Sequence, residues 1–415
     1  MYIIRNFTLL VLLLGSAFTY GQEVLTLEQI LQEINRNNPS LKAYESRIQS
    51  QDARVEGAGA WMAPMVGAGT FMTPYPGSMV MDEADRGAWM LSAEQDIPNP
   101  AKTRAKAKYL AAQSSITKAE QGVQANQLRA RAKELYYGIV VGGKKIAFQR
   151  ENRTIMATMK KLAEIRYPYN QGSLSQVFKA EGRLQESENM ILMTESDIRS
   201  NKIALNALMY RPATADLTID TTLKITFQPI AALDTAYLAA NRSDILQMDR
   251  SIRAMELNIN QMRQEAKPDF RIRYEHMSSR AGMMPNQYTL MGMISIPIAP
   301  WSSKMYKSEV KSMTYEREAM REEKEGMLIE MLGMTKSMEN ELLNMQKQLS
   351  NYETKILPAL NKNLKVSMQS YQENKGDVNT VIDAWEAVNM AQMNYLEQLK
   401  RFYQMIVEYE KNIER

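Results

Sequence analysis

The sequence predicts a mainly α, α+β fold in which one long unit is used twice. Three observations predict it. The first is a repeat: Tyr167-x4-Gly172-x-Leu174-x2-Val177-x2-Ala180 returns about 204 residues later as Tyr371-x4-Gly376-x-Val378-x2-Val381-x2-Ala384, and Ile97-Pro98 returns as Ile296-Pro297. The second is a pair of helical runs of roughly 70 residues, far beyond the usual helix length. The third is two pairs of segments of about nine residues with strand character, one pair ahead of each long run. A repeat of this length is half a protein duplicated, not a short solenoid unit.

Taken in order, residues 1–21 read as a secretory signal. Arg5 supplies the charge, Phe7–Leu14 the short apolar stretch, and the small residues near Gly21 a cleavage region. The run is too short to span a membrane as a helix. Residues 22–212 form the first repeat. Leu27, Ile30, Leu31 and Ile34 recur at helical spacing, Thr26 with Gln29 fits a capping box, and Asn37-Asn38-Pro39 divides this helix from the next. Met65–Thr73 and Gly87–Gln95 read as strands of a hairpin (65–95). A helix follows from Ala101 to about Gln171, with Gly142-Gly143 as an expected bend or break. The tip 167–174 reverses the chain: Gly172 fits a left-handed helix cap, Ser173 an N-cap, and the return helix runs from Leu174 to about Met209. Residues 213–230, with Pro, Thr and Asp and no helical period, link the halves. The second repeat, 231–415, has its hairpin at 269–296, a long helix from Ser302 bent near Pro358, and a tip at 371–378 with Gly376 and Asp377 in the same capping roles. In Asp269–Met277, Phe270, Ile272 and Tyr274 alternate with Arg271, Arg273 and Glu275, giving one apolar and one charged face. Such a strand suits a membrane barrel and equally an ordinary β-hairpin. Met313, Met320, Met327 and Met334 step by sevens beside Met331, Met338 and Met345, which makes a coiled-coil seam.

Composition narrows the function. A formal charge of +4 on 415 residues, without a basic stripe interleaved with aromatics, does not suit nucleic acid. With no cysteine there is no disulfide, thiolate site or lipid-anchored N-terminus, and one histidine, His276, is too few for a zinc centre. No phosphate loop or catalytic triad is present, so no enzyme and no cofactor are expected. The 32 methionines have two readings. They pack adaptably at helix seams and on lipid-facing strands, or their thioethers serve soft metal ions, with Met277, Met283 and Met284 as weak candidates.

The order of these parts resembles the TolC family of outer-membrane efflux proteins. The residues that carry the resemblance are Leu25-Thr26-Leu27-Glu28-Gln29 with Asn38-Pro39-Ser40-Leu41, the two Ile-Pro corners, both tips with Ile382-Asp383-Ala384, and Leu205-Asn206-Ala207-Leu208 before Arg211-Pro212. It covers essentially the whole mature chain. Tyr210 departs from it, standing where the family usually has glycine. The Asp96-Ile97-Pro98-Asn99-Pro100 corner is most like the heavy-metal, cation-efflux branch.

The resemblance implies a homotrimer in the outer membrane of a Gram-negative bacterium. Four strands per chain would form a 12-stranded barrel, and long helical hairpins a periplasmic α-barrel. It implies a passive exit channel for a tripartite pump, with a periplasmic adaptor docked on the tips and an RND-type inner-membrane pump as partners. Tyr167, Gly172, Ser173, Leu174, Tyr371, Gly376, Asp377 and Val378 would be the adaptor contacts, with Leu174 and Val378 exposed. Asp383 would form a pore ring to which the first half, with Lys179, contributes nothing. Arg271, Arg273 and Glu275 would line the barrel lumen. Copper or silver cations are one substrate class and organic compounds or secreted molecules another. A periplasmic coiled-coil structural or adaptor protein is the competing class, and the two hairpins speak against it.

Overall fold

The computed structural model describes residues 24–169, 172–280 and 285–414. The expected signal segment, and Met283 and Met284, lie outside them. The fold is the mainly α, α+β architecture expected from the sequence. Helices α1 (Leu27–Asn37) and α2 (Pro39–Glu56) precede strands β1 (Met65–Phe71) and β2 (Ala88–Ile97). Helices α3 (Pro100–Arg166) and α4 (Leu174–Leu208) follow. The same order then recurs, with α5 (Thr235–Asn241), α6 (Ser243–Gln264), β3 (Asp269–Ser279), β4 (Gln287–Ser295), α7 (Pro300–Asn351), α8 (Leu357–Gln372) and α9 (Val378–Ile413). Contacts divide the chain into two compact units that draw on both repeats. The first is Met1–Leu41, Gln124–Leu233 and Gly333–Arg415, and the second is Lys42–Val123 with Asp234–Leu332.

In the second unit the four strands form one antiparallel sheet in the order β1-β2-β3-β4. β1 ends at Phe71 because Met72 turns to a left-handed φ of 48°. The Ile97-Pro98 corner delivers the chain to α3. Asn99 holds it, donating from Nδ2 to the Pro268 carbonyl at 2.7 Å and accepting from the Ala101 N–H at 3.0 Å. Pro100 at the first helical position lacks the N–H that would be unpaired there. Ion pairs between Lys324 and Asp249 (2.6 Å) and between Arg321 and Glu256 (3.0 Å) tie α7 to α6.

The first unit is organised around α9. Its apolar side buries Val378, Ile382, Trp385, Tyr395, Phe402 and Ile406 among others. The expected capping box of α1 is present: Thr26 N–H donates to Gln29 Oε1 at 2.8 Å and Gln29 N–H to Thr26 Oγ1 at 3.3 Å. The break expected at Gly142-Gly143 is absent, and α3 runs through both. These glycines serve approach. A Cβ on Gly142 would sit 2.8 Å from Ile198, and one on Gly143 would sit 2.8 Å from Thr221. Packing of α4 and the linker against α3 outweighs the helix penalty of about 1 kcal/mol per glycine. Near Pro358 the helix does depart from α geometry, in a π turn at Tyr352–Ile356. The proline removes a donor and crowds the carbonyl four residues back, and the wider turn accommodates both. Glu353 in this turn accepts from Lys224 Nζ at 2.6 Å and from Tyr395 Oη at 2.7 Å.

Tyr210 adopts a left-handed φ of 60°, the conformation for which the family-like glycine suits this position. It terminates α4 with Tyr210 N–H bonded to the Ala207 carbonyl (3.2 Å) and Arg211 N–H to the Asn206 carbonyl (2.9 Å). A tyrosine pays a steric cost there that glycine does not. Tyr210→Gly is therefore expected to raise stability by about 1 kcal/mol, as measured by the thermal or denaturant midpoint. A lower midpoint would mean that the exposed ring has an unrecognised contact.

Candidate functional site

Two regions hold the residues singled out by sequence, one in each unit. The first is the pair of helical tips. Helix α8 ends with Asn374 at φ 59°, Asn374 N–H bonded to the Tyr371 carbonyl (3.1 Å) and Lys375 N–H to the Ser370 carbonyl (2.8 Å). The left-handed residue is thus Asn374, not Gly376 as expected; asparagine tolerates that region. Gly376 is needed for closeness, since a Cβ there would lie 3.2 Å from the Ser370 Cβ. Gly172 likewise has no left-handed φ, and a Cβ there would lie 3.1 Å from Gln176 Oε1. Ser173 and Asp377 stand at the N-cap positions with extended backbones. The Asp377 carboxylate does not cap its own helix. It accepts from Asn379 Nδ2 at 2.8 Å and from Gln176 Nε2 of the other tip at 3.4 Å.

The tips are joined by arginines that the sequence reading missed. Arg166, at the end of α3, donates to the Tyr371 carbonyl at 2.6 Å and to the Gln372 carbonyl at 3.4 Å, and its guanidinium lies 4.0 Å from the Tyr371 ring centroid. A cation at the C-terminal carbonyls of α8 also complements the helix dipole. Arg183 bonds Glu386 at 2.7 Å and Glu186 at 2.7 Å. These carboxylates, Glu186 first, raise the Arg183 pKa further above its ordinary value. The only sequence signal for Arg166 was its place one residue before the tip tyrosine.

Burial separates the two copies of the repeat. Val378 and Ile382 are fully buried, in a core with Met156, Met159, Tyr371 and Trp385, and Leu162 packs against that core. The expectation that Val378 is exposed is therefore corrected: α9 turns it inward under α3. Its equivalent Leu174 is exposed as expected, at 43 %. Phe178, the equivalent of Ile382, is 65 % exposed, and Val366, the equivalent of Leu162, is 62 % exposed. Tyr167 is also exposed, whereas Tyr371 is buried. Asp383 and Lys179 both lie on exposed helix surface.

The second region is the sheet. Arg271, Arg273 and Glu275 share one face with Glu94 and Asp96 of β2, which the sequence reading omitted although they alternate with Ala93, Gln95 and Ile97. Arg271 meets Glu94 at 2.7 Å and Asp96 at 2.6 Å, and Arg273 meets Glu275 at 2.9 Å and Glu94 at 3.7 Å. The ladder joins β2 to β3, hence the first hairpin to the second. By register, Met65, Met90, Met277, Met291 and Met293 fall on this same charged face. The opposite face carries Val66, Leu91, Ile272, Tyr274 and Leu290 instead. All five of these apolar side chains are exposed. His276 sits on that apolar face, opposite Leu91 and Tyr288. Among the described residues, no group of three His, Asp or Glu is arranged to hold a metal ion. No described helix is long and apolar enough to cross a membrane.

No protein-family model matches the sequence, and no curated protein matches it. Solved outer-membrane channels share its fold. CusC superposes with a TM-score of 0.76 at 13 % identity, over 93 % of this chain and 91 % of that one. VceC from Vibrio cholerae gives 0.73 at 15 % identity over 93 % and 95 %. MtrE from Neisseria gonorrhoeae, in its open state, gives 0.73 at 14 % identity over 93 % and 88 %.

Proposed function

We propose that this chain is the outer-membrane exit duct of a tripartite efflux pump, acting as a homotrimer that an adaptor opens from the periplasmic side. The observation that carries the proposal is the sheet. It has one exposed apolar face, one charged face, and outer edges on β1 and β4 without a strand partner among the described residues. In lipid such edges are untenable unless neighbouring copies close the sheet into a barrel. Apolar side chains then meet lipid, and the charged ladder lines the lumen. The shared fold with solved outer-membrane channels supports the same location.

The repeat supplies the helical counterpart. Within one chain, Ile382 and Val378 are sealed in a core that Leu162 borders. The equivalent Phe178 on the first return helix, and Val366 on α8, have no cover. A second copy covers them if its α8 packs on this chain's α4 as α3 packs on α9. The chain has no cysteine, so introduced pairs are easily read. Phe178→Cys combined with Val366→Cys is expected to form disulfide-linked dimers and trimers of the purified protein. Monomers alone, under conditions where the protein inserts in detergent, would rule this seam out.

The tips also present a surface to an adaptor, chiefly through Tyr167, Leu174 and the turn residues. Asp383 contributes a ring of three carboxylates at the entrance, an arrangement that favours cations. For the substrate, the methionines on the charged face favour soft metal cations such as copper or silver, since thioethers bind them well. Deletion in the native cell tests both levels. Hypersensitivity to copper or silver supports the metal reading, and hypersensitivity to organic compounds replaces it with drug efflux. A strain unaffected by any exported compound removes the efflux function.

A further inference from the structure

We infer that the starts of α3 and α7 form a collar that binds the phosphate headgroups of anionic phospholipids. The inference rests on the outer-membrane reading above and names the lipid that the membrane must supply. Helix α3 carries Lys102, Arg104, Lys106 and Lys108, and no acidic residue precedes Glu120. Helix α7 carries Lys304 and Lys307 ahead of its first acid, Glu309. Neither helix has an acidic residue in its first turn. This is the reverse of what the helix dipole favours, because the N-terminal end is already positive. Lys102 is compensated, at 2.9 Å from Asp269 and 3.1 Å from Glu265. Arg104, Lys106, Lys108, Lys304 and Lys307 are exposed and have no ion pair among the described residues.

The surroundings favour a lipid over a soluble anion. Lys106 borders a cavity of about 400 Å³ whose walls include Met62, Ile97 and Phe270, together with Asp96, Glu265 and Asp269, which are neutralised by ion pairs to Arg271 and Lys102. Ile97 and Phe270 belong to the apolar face of the sheet, so the cavity lies where that face ends. On α7, Lys304 stands beside Trp301 and Met305, which are 82 % and 78 % exposed. Trp61, just before β1, is also exposed. Tryptophan with a neighbouring lysine is the pairing that settles at headgroup level, the ring among the upper acyl carbons and the ammonium at the phosphate. Lys106 thus continues the apolar face, with phosphate against its ammonium and acyl chains along Ile97 and Phe270, while Lys304 meets phosphate beside Trp301.

The full-length protein is reconstituted in vesicles of phosphatidylethanolamine alone and of phosphatidylethanolamine with one-fifth cardiolipin. Cardiolipin is expected to raise the unfolding temperature and to remain bound in native mass spectrometry. Lys106→Gln with Lys304→Gln should weaken cardiolipin retention by roughly tenfold or more, as expected for two cations at a charged surface. Lys106→Arg with Lys304→Arg should retain it, and Lys347→Gln, on a distant turn of α7, should change nothing. Equal cardiolipin retention by wild type and the double Gln variant overturns the inference. So does an equal stabilisation by inorganic phosphate, which would show a site for free anions. Protein that inserts in both vesicles yet ignores cardiolipin sinks this inference alone, whereas protein that inserts in neither sinks the membrane reading with it.

Discussion

Val378→Asp is expected to unfold the tip region, while Leu174→Asp leaves it folded. The two residues hold the same place in the repeat, and chemistry at the level of sequence does not separate them. Val378 is fully buried in a core of Met156, Met159, Tyr371 and Trp385. A carboxylate there forfeits the burial of the valine, about 2 kcal/mol, and in addition is desolvated without a partner. The sum is about 4 kcal/mol or more, a large share of the stability of a typical domain. Leu174 is exposed in the single chain, and surface changes of this kind stay within about 0.5 kcal/mol. Thermal unfolding and limited proteolysis near the tips read the difference. Equal destabilisation by both substitutions would show that the two tips are packed alike, and would remove the asymmetry on which the seam between copies rests.

Arg166→Ala is expected to raise the leak conductance of the reconstituted channel about tenfold. Arg166 bonds two C-terminal carbonyls of α8 and covers the Tyr371 ring, so it fastens the first tip to the second. Charge-assisted hydrogen bonds of this type contribute about 1.5–3 kcal/mol, and partial exposure argues for the lower end. If these bonds break when the tips part, their loss moves the closed-to-open equilibrium by about one power of ten. Arg166→Lys should fall between, since an ammonium lacks the fork and the stacking plane. Asp383→Ala should also raise conductance, for a different reason. It would remove a charge of the proposed ring, and its effect should fade in 1 M salt, where the screening length is about 3 Å. The Arg166 effect should persist there. An Arg166→Ala channel as tight as wild type would mean that the clamp is structural and not part of the gate.

The elements were largely legible in the sequence because each rests on local chemistry. Thr26 and Gln29 cap α1 through their own side chains, and Asn38-Pro39 divides α1 from α2 by removing a donor. Alternation in β3 places arginines on one face whatever its neighbours do. The failures came where a neighbour decides. Gly142 and Gly143 read as a break because glycine weakens a helix in isolation. They lie inside a continuous helix because Ile198 and Thr221 press against them and leave no room for a Cβ. The left-handed position fell on Asn374 instead of Gly376 because the helix end is set by which carbonyls the turn can still reach.

By itself, the sequence determined that the chain is two copies of one pattern, with a hairpin, a long helix and a return helix in each. That follows from periodicity and capping, which act over a few residues. The tertiary structure alone decided which copy is covered. Val378 and Leu174 sit in the same motif, yet only α9 lies under α3, so one valine is core and one leucine is surface. It also decided that Glu94 and Asp96 stand opposite Arg271 and Arg273, through pairing of residues 175 or more apart in the chain. Burial and cross-strand contact depend on what arrives from elsewhere in the chain, and a repeated sequence carries no mark of that.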